Sequence, residues 1–121
     1  LDAVLLTCSN VSEKSFLVEH GLPHGLTPQV LIDAGAIGDV LGQFLDRNGA
    51  SVSEAVDNRT VGMPLSQVLD VPEKIMAAAG PHKVEIIRAA CKRNLVDTLV
   101  TDDVTARLLL ADAPVQASDA E

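Results

Sequence analysis

The second half of the sequence alternates between strand-like and helix-like segments, and this alternation limits the fold more than any other feature. Each short apolar run is followed by Gly80 or by a polar residue, and a helix start comes at once. The predicted elements are a strand over Lys74–Ala79, a helix from Pro81 to about Arg93, a strand over Leu95–Val100 and a helix capped by Thr101 that ends near Leu110. Such a strand–helix–strand unit requires a parallel sheet with a right-handed crossover. The fold class that we predict is therefore α/β.

The first half is patterned less regularly. Leu1–Thr7 is a predicted strand with apolar residues on both faces, which is typical of the middle of a parallel sheet. Because this strand starts at Leu1, we expect a fragment whose N-terminal portion is missing. The further predictions are a polar turn at Cys8–Ser12, a short helix over Glu13–Glu19, a helix capped by Thr27 with Pro28 at its first position, an extended stretch over Ala36–Asp46 bent at its glycines, a turn at Asn48-Gly49, a brief strand over Thr60–Met63 and a short helix over Pro64–Leu69.

Composition excludes several classes of protein. The 121 residues suit one domain, and seventeen acidic against nine basic residues give a net charge of −8, which argues against direct binding of a nucleic-acid backbone. Aromatic residues are only 2%, so stacking on single strands is nearly excluded. No apolar run approaches the roughly 20 residues of a membrane span. Cys8 and Cys91 have neither disulfide nor metal spacing, so we expect a reducing cytoplasm and no metal.

The turn at Gly80 is the sharpest candidate for a ligand site. Ligands of parallel sheets bind beyond the carboxyl ends of the strands, which selects the turns after Thr7, at Gly80 and at Thr101. At Gly80 a strand gives way directly to a helix, whose first-turn amides and dipole attract anions. Lys83 adds a positive charge that opposes the helix dipole, and His82 could donate to a phosphate. We predict an anion site here; the alternative is an ordinary turn with a solvated lysine.

Asp39 is the second candidate. It follows Gly38 in an apolar stretch, where a carboxylate costs free energy unless it is paired or faces a pocket. A carboxylate accepts two or more hydrogen bonds, which suits sugar hydroxyls. The alternative is a turn aspartate that accepts from nearby backbone amides.

The remaining polar candidates have ordinary structural explanations. Arg59 could reach an anion, although a surface ion pair explains it better. Asp102 follows a strand, where helix capping accounts for it. Cys8 has no base beside it in sequence and is expected to be a buried, inert thiol. His20 and His24 are expected to face solvent. No Ser/His/Asp triad and no Walker loop is present.

Two stretches resemble a known family. The string "DAGAIGDVLGQFLDRNG", followed by "NRTVGMPLSQVLDVPEKIMAAAGPHKVEIIRAACKRNLVDTLVTDDVTARLLL", looks like the C-terminal half of the SorC-type sugar-binding domain. This family comprises bacterial transcription regulators related to the sorbitol operon regulator and the Bacillus deoxyribonucleoside regulator. The motifs recur in order: a glycine-rich GD segment, an R-x-V/I-G segment, an AGG-x-x-K-like turn and a V-T-D-x-x-T-A-x-x-L-L ending. The likeness covers residues 1–110, and residues 111–121 are expected to be a flexible acidic tail.

The resemblance implies a Rossmann-like fold similar to glucosamine-6-phosphate deaminase, ribose-5-phosphate isomerase and the CoA transferases. It also implies an effector domain that binds a phosphorylated sugar. The family's phosphate-contacting lysine falls on Lys83, with Gly80 and its neighbours as backbone donors, and its hydroxyl-facing acid falls on Asp39. Where the family usually has a second glycine this chain has Pro81, so one phosphate donor is lost.

Partners are implied in the same way. A separate N-terminal helix-turn-helix would contact DNA, the chain would form a homo-oligomer, and no cofactor is expected. Half of the effector domain, with the other phosphate-binding loop, lies outside this sequence. The alternatives are a sugar-phosphate isomerase or deaminase of the same fold, with Asp39 as base, and an oligomerisation module.

Overall fold

The computed structural model describes residues 1–11, 27–52 and 63–111, which contain two three-stranded sheets. The predicted helix over Glu13–Glu19, most of the predicted strand over Thr60–Met63 and the predicted tail from residue 112 lie outside these ranges. The elements are β1 (Ala3–Leu6), β2 (Cys8–Asn10), α1 (Pro28–Asp33), β3 (Ala36–Val40), β4 (Gln43–Asp46), α2 (Leu65–Val68), β5 (Glu73–Ala77), a 3-10 turn (Pro81–Lys83), α3 (Val84–Lys92), β6 (Thr98–Val100) and α4 (Asp103–Ala111).

The predicted parallel sheet is confirmed. β5 lies in its centre, with β1 and β6 paired parallel on either side. Leu5 is opposite Ile75, and Val100 is opposite Ala77, so these side chains share one face of the sheet. Leu5 is 70% exposed and Val100 is 57% exposed. Within the described residues β1 is therefore an edge strand with one uncovered face, and not the doubly covered central strand that its apolar pattern favours.

The predicted polar turn at Cys8–Ser12 is wrong. Cys8–Asn10 forms strand β2, which pairs antiparallel with β3, so that Ser9 is opposite Asp39. The Ser9 hydroxyl donates to Asp39 across the sheet, a contact that the sequence pattern alone does not reveal. β3 and β4 form a hairpin with a two-residue turn at Leu41 and Gly42, both with positive φ (54° and 78°). The bend predicted at the glycines is thus confirmed at Gly42.

The main hydrophobic core lies between the sheets and α3. Val84, Ile87 and Ala90 are buried as their spacing predicts, and Ile86 and Ala89 join them. Cys91 lies four residues after Ile87, a spacing that predicts the same face of α3, but it is exposed. A smaller core contains Leu31, Ala36 and Phe44.

Helix ends follow the expected capping rules with two corrections. Thr27 caps α1 by accepting from the Val30 amide at 3.2 Å, as predicted. The cap of α4 is Asp102 and not Thr101, since the Thr105 amide donates to Asp102 Oδ1 at 2.7 Å. β6 begins at Thr98 and not at Leu95, because the Leu95 amide donates to the carbonyl of Ala90 and closes α3 in a Schellman motif. No helix within the described ranges has the length and apolar character needed to cross a bilayer.

Candidate functional site

The turn after β5 has the predicted glycine-to-helix geometry. Gly80 adopts φ 124° and ψ 140°, a conformation that disfavours other residues, and the 3-10 turn leads directly into α3. The Gly80 amide donates to Thr105 Oγ1 at 2.8 Å, and the Lys83 amide donates to the Gly80 carbonyl at 3.0 Å. Pro81 has no N–H, and the amides of Gly80 and Lys83 are already paired. The backbone of this turn therefore offers few free donors to an anion. The turn presents chiefly the side chains of His82 and Lys83.

His82 lies directly over the glycine. A Cβ added at Gly80 would come within 2.5 Å of the His82 ring, which is itself exposed. Glycine therefore allows the ring to fold back onto the turn, beside Lys83. Any larger residue at position 80 would displace it.

Asp39 is buried at the junction of β2 and β3, with an exposed fraction of 8%. The Ser9 hydroxyl donates to one carboxylate oxygen, and the Gly42 amide donates to the other at 3.1 Å. Burial raises the pKa of Asp39, while the hydrogen bonds from Ser9 and Gly42 partly oppose that rise. The turn aspartate that accepts from a backbone amide is thus present in the structure, and each oxygen keeps lone-pair capacity for a further donor.

The turn Pro81–Lys83 contacts β2, and β2 pairs with β3, where Ser9 is opposite Asp39. The positive charge of Lys83, which is half-buried, lowers the pKa of Asp39 and the pKa of the neighbouring Cys8 thiol. Burial nevertheless dominates at Cys8 and raises its pKa to about 11. Cys8 therefore stays a protonated thiol at neutral pH, which agrees with the inert role expected for it.

Gly38 has a packing role that brings the site together. A Cβ at this position would lie 2.3 Å from the Ser9 carbonyl oxygen and 2.8 Å from Ile86 Cβ. Only glycine lets β3 approach both β2 and α3 this closely. Gly38 thus positions its neighbour Asp39 relative to the turn at the start of α3.

Three of the other sequence candidates lie outside the described residues. They are Arg59, His20 and His24, and their predicted roles stay predictions. Asp102 caps α4, as the structural explanation expected. Among the residues that the structure describes, no group of three His, Cys, Asp or Glu side chains could hold a metal ion.

Sequence reasoning missed two residues that support the site. Ser9 was not predicted as a site residue, because the sequence of β2 favours a turn. No local pattern indicates that the Ser9 hydroxyl donates to Asp39. Thr105 is completely buried and holds the Gly80 amide. Its position three residues after Asp102 fits helix capping, but the contact to Gly80 is long-range and leaves no sequence signal.

Comparison with known proteins shows which domains this chain is similar to. The family model "Putative sugar-binding domain" matches residues 1–111. The transcriptional regulator LsrR of Escherichia coli is 40% identical over 77 residues, which make up 63% of this chain and 24% of LsrR. A transcriptional regulator from Streptococcus pneumoniae superposes with a TM-score of 0.78 at 27% identity, covering 93% of this chain and 43% of that chain. The sorbitol operon regulator SorC from Klebsiella pneumoniae gives a TM-score of 0.78 at 24% identity, covering 91% and 35% of the two chains.

The coverage is unequal in every case. Nearly the whole chain superposes on each solved regulator, while it spans about two fifths of those chains and about a quarter of the curated relatives. The likeness therefore concerns one part of a longer architecture. Since the family model extends over residues 1–111 and the resemblance read from the motifs is confirmed, the chain belongs to the family of sugar-binding domains that occur in LsrR- and SorC-type transcriptional regulators.

Proposed function

We propose that this chain is the effector-sensing part of a bacterial transcriptional regulator and that its ligand is a phosphorylated sugar. The observation that carries the proposal is that the turn Pro81–Lys83 contacts β2, whose Ser9 hydroxyl donates to Asp39 on β3. A cation and a carboxylate on neighbouring elements offer a phosphoryl group and sugar hydroxyls the partners that each prefers.

The two residues have complementary roles in this proposal. Lys83 forms a charge-assisted hydrogen bond with the phosphoryl group, worth roughly 1.5–3 kcal/mol. Asp39, held in place by Ser9 and Gly42, accepts from the sugar hydroxyls. His82 adds a donor beside Lys83, and Gly80 lets the ligand approach the turn closely. The remaining contacts come from the part of the regulator that this chain does not span, and Arg59 is a candidate for a further anion contact.

Effector binding would regulate DNA binding elsewhere in the protein. The acidic composition of this chain suits a sensing module whose DNA contact lies in a separate helix-turn-helix. The mechanism that we propose is a population shift, in which the sugar phosphate favours one arrangement of a homo-oligomer in the cytoplasm. The chain itself would be non-catalytic, a proposal supported by the sugar-binding family model and by the matching proteins, which are named as transcriptional regulators.

Isothermal titration calorimetry of the full protein against a panel of sugar phosphates tests this proposal. Lys83→Ala is expected to weaken the best ligand by at least about tenfold, equivalent to roughly 1.5 kcal/mol. Arg107→Ala is the matched control, since it removes an exposed cation that pairs with Asp103 of the same helix at 3.4 Å. Equal affinity in wild type and Lys83→Ala would contradict the assigned role. Turnover of a ligand would instead favour the isomerase or deaminase alternative.

A further inference from the structure

A second concave site lies on the exposed side of α3, apart from the residues of the proposed effector site. The pocket has a volume of about 220 Å³ and is lined by Ile37, Arg47, Glu85, Arg88 and Lys92. Neither Lys83 nor Asp39 lines it. Its volume is below the roughly 300–1,000 Å³ of sites for drug-sized ligands, which restricts any occupant to a small molecule.

The pocket concentrates positive charge on an acidic chain. Three cationic side chains face one carboxylate, whereas the whole sequence has nine basic and seventeen acidic residues. Arg88 and Lys92 are spaced i,i+4 on α3, so their like charges repel one another and reduce the stability of the helix. A bound anion would attract both side chains and so offset their mutual repulsion. A pocket lined by three cations and one carboxylate is therefore suited to an anionic ligand.

The side chains are arranged so that an anion could engage them. Arg88 is held between α3 and α4, because its Nη2 donates to the Leu109 carbonyl at 3.5 Å. Arg47 contacts Glu85 at 3.8 Å, and both side chains are mostly exposed, so this ion pair is weak. A stronger anion can displace the Glu85 carboxylate from Arg47. Arginine guanidinium groups match the oxygens of a phosphoryl group in a bidentate manner.

We propose that this pocket binds a small dianion of the phosphate class, either free phosphate or the phosphoryl group of a small metabolite. Arg47, Arg88 and Lys92 bind the phosphoryl oxygens, and Ile37 contacts the carbon portion where the ligand has one. Glu85 competes for Arg47 and so lowers the affinity. This site is independent of the effector site, since it shares no lining residue with it.

Calorimetry of the full protein in a Lys83→Ala background isolates the pocket from the effector site. The probes are inorganic phosphate and glycerol 3-phosphate, with sodium chloride at matched ionic strength as the blank. Lys92→Gln and Arg47→Gln are each expected to weaken phosphate binding by about tenfold, the loss of one charge-assisted contact. Glu85→Gln should tighten it by about threefold or more, because it removes the competing carboxylate. Arg107→Gln is the control and should leave the affinity unchanged.

The opposite effects of the Glu85 and Lys92 variants distinguish a binding site from general damage to the fold. A tighter affinity for glycerol 3-phosphate than for phosphate identifies a metabolite as the ligand, and the reverse order identifies free phosphate. Absence of phosphate binding above the chloride blank in the Lys83→Ala background would overturn the proposal. So would equal affinities in the Lys92→Gln, Glu85→Gln and Arg107→Gln proteins. Either result leaves the proposed effector site untouched, because that site is tested by Lys83→Ala against sugar phosphates.

Discussion

At the scale of single residues, the buried carboxylate of Asp39 lowers the stability of the fold and has a proposed role in ligand binding. Its carboxylate is buried, and although Ser9 and Gly42 donate to it, the net result is a raised pKa. A raised pKa means that the folded state holds this proton more tightly than the unfolded state does. Ionised Asp39 therefore destabilises the folded state at neutral pH. Residues kept in spite of such a cost are commonly functional.

Replacement of Asp39 by Asn should make this cost visible. Below the ordinary pKa of an aspartate both states are protonated, so the carboxyl contributes no pH dependence there. As the pH rises through the raised folded-state pKa, wild type loses stability that Asp39→Asn retains. The melting temperature of the variant relative to wild type should thus increase with pH and then level off, while sugar-phosphate affinity at neutral pH falls. Thermal denaturation over a pH series checks this, and a difference that is constant with pH would contradict it.

At the scale of elements, α4 holds the turn that carries Lys83. Thr105 is buried on α4 and accepts from the Gly80 amide, while its own amide is capped by Asp102. Thr105→Val keeps the shape but leaves the Gly80 N–H without a partner, which should cost about 1–3 kcal/mol. Thr105→Ser keeps the hydroxyl and should lose much less. Denaturant titration of both variants checks this prediction, and equal losses would assign the effect to packing instead.

The elements also differ in how far the sequence predicts them. The unit from β5 to α4 was predictable because Gly80-Pro81 and Asn94 punctuate long periodic segments. β2 was not, because two of its three residues are polar and their partners lie about 30 positions away in β3. The same distinction applies to the candidate site. Lys83 and Asp39 are predicted from local pattern and resemblance, whereas the supporting contacts of Ser9 and Thr105 depend on tertiary structure.

At the scale of the whole molecule, the described residues cover only one face of the parallel sheet. Val4 and Met76 pack into the core, while Leu5 and Val100 on the other face are mostly exposed. Parallel sheets are almost always covered on both faces. Since the chain spans about two fifths of the solved regulators that it matches, we expect the rest of the regulator to supply the cover.

The 121-residue chain by itself should therefore expose the apolar face of its parallel sheet to solvent. We expect it to bind the dye ANS and to self-associate in light scattering, because the apolar strip formed by Leu5, Ile75, Ala77 and Val100 lies on one face of three neighbouring strands. The double variant Leu5→Lys/Val100→Lys should reduce both signals in the isolated chain.

In the full protein the same variant should instead lower the melting temperature, since two charges would then be buried beneath the covering elements. The control is Leu110→Lys, which alters an exposed leucine at the end of α4, away from this strip. The double variant and wild type could instead have equal melting temperatures in the full protein. That result would contradict the prediction, because it would mean that this face of the parallel sheet stays exposed to solvent in the regulator.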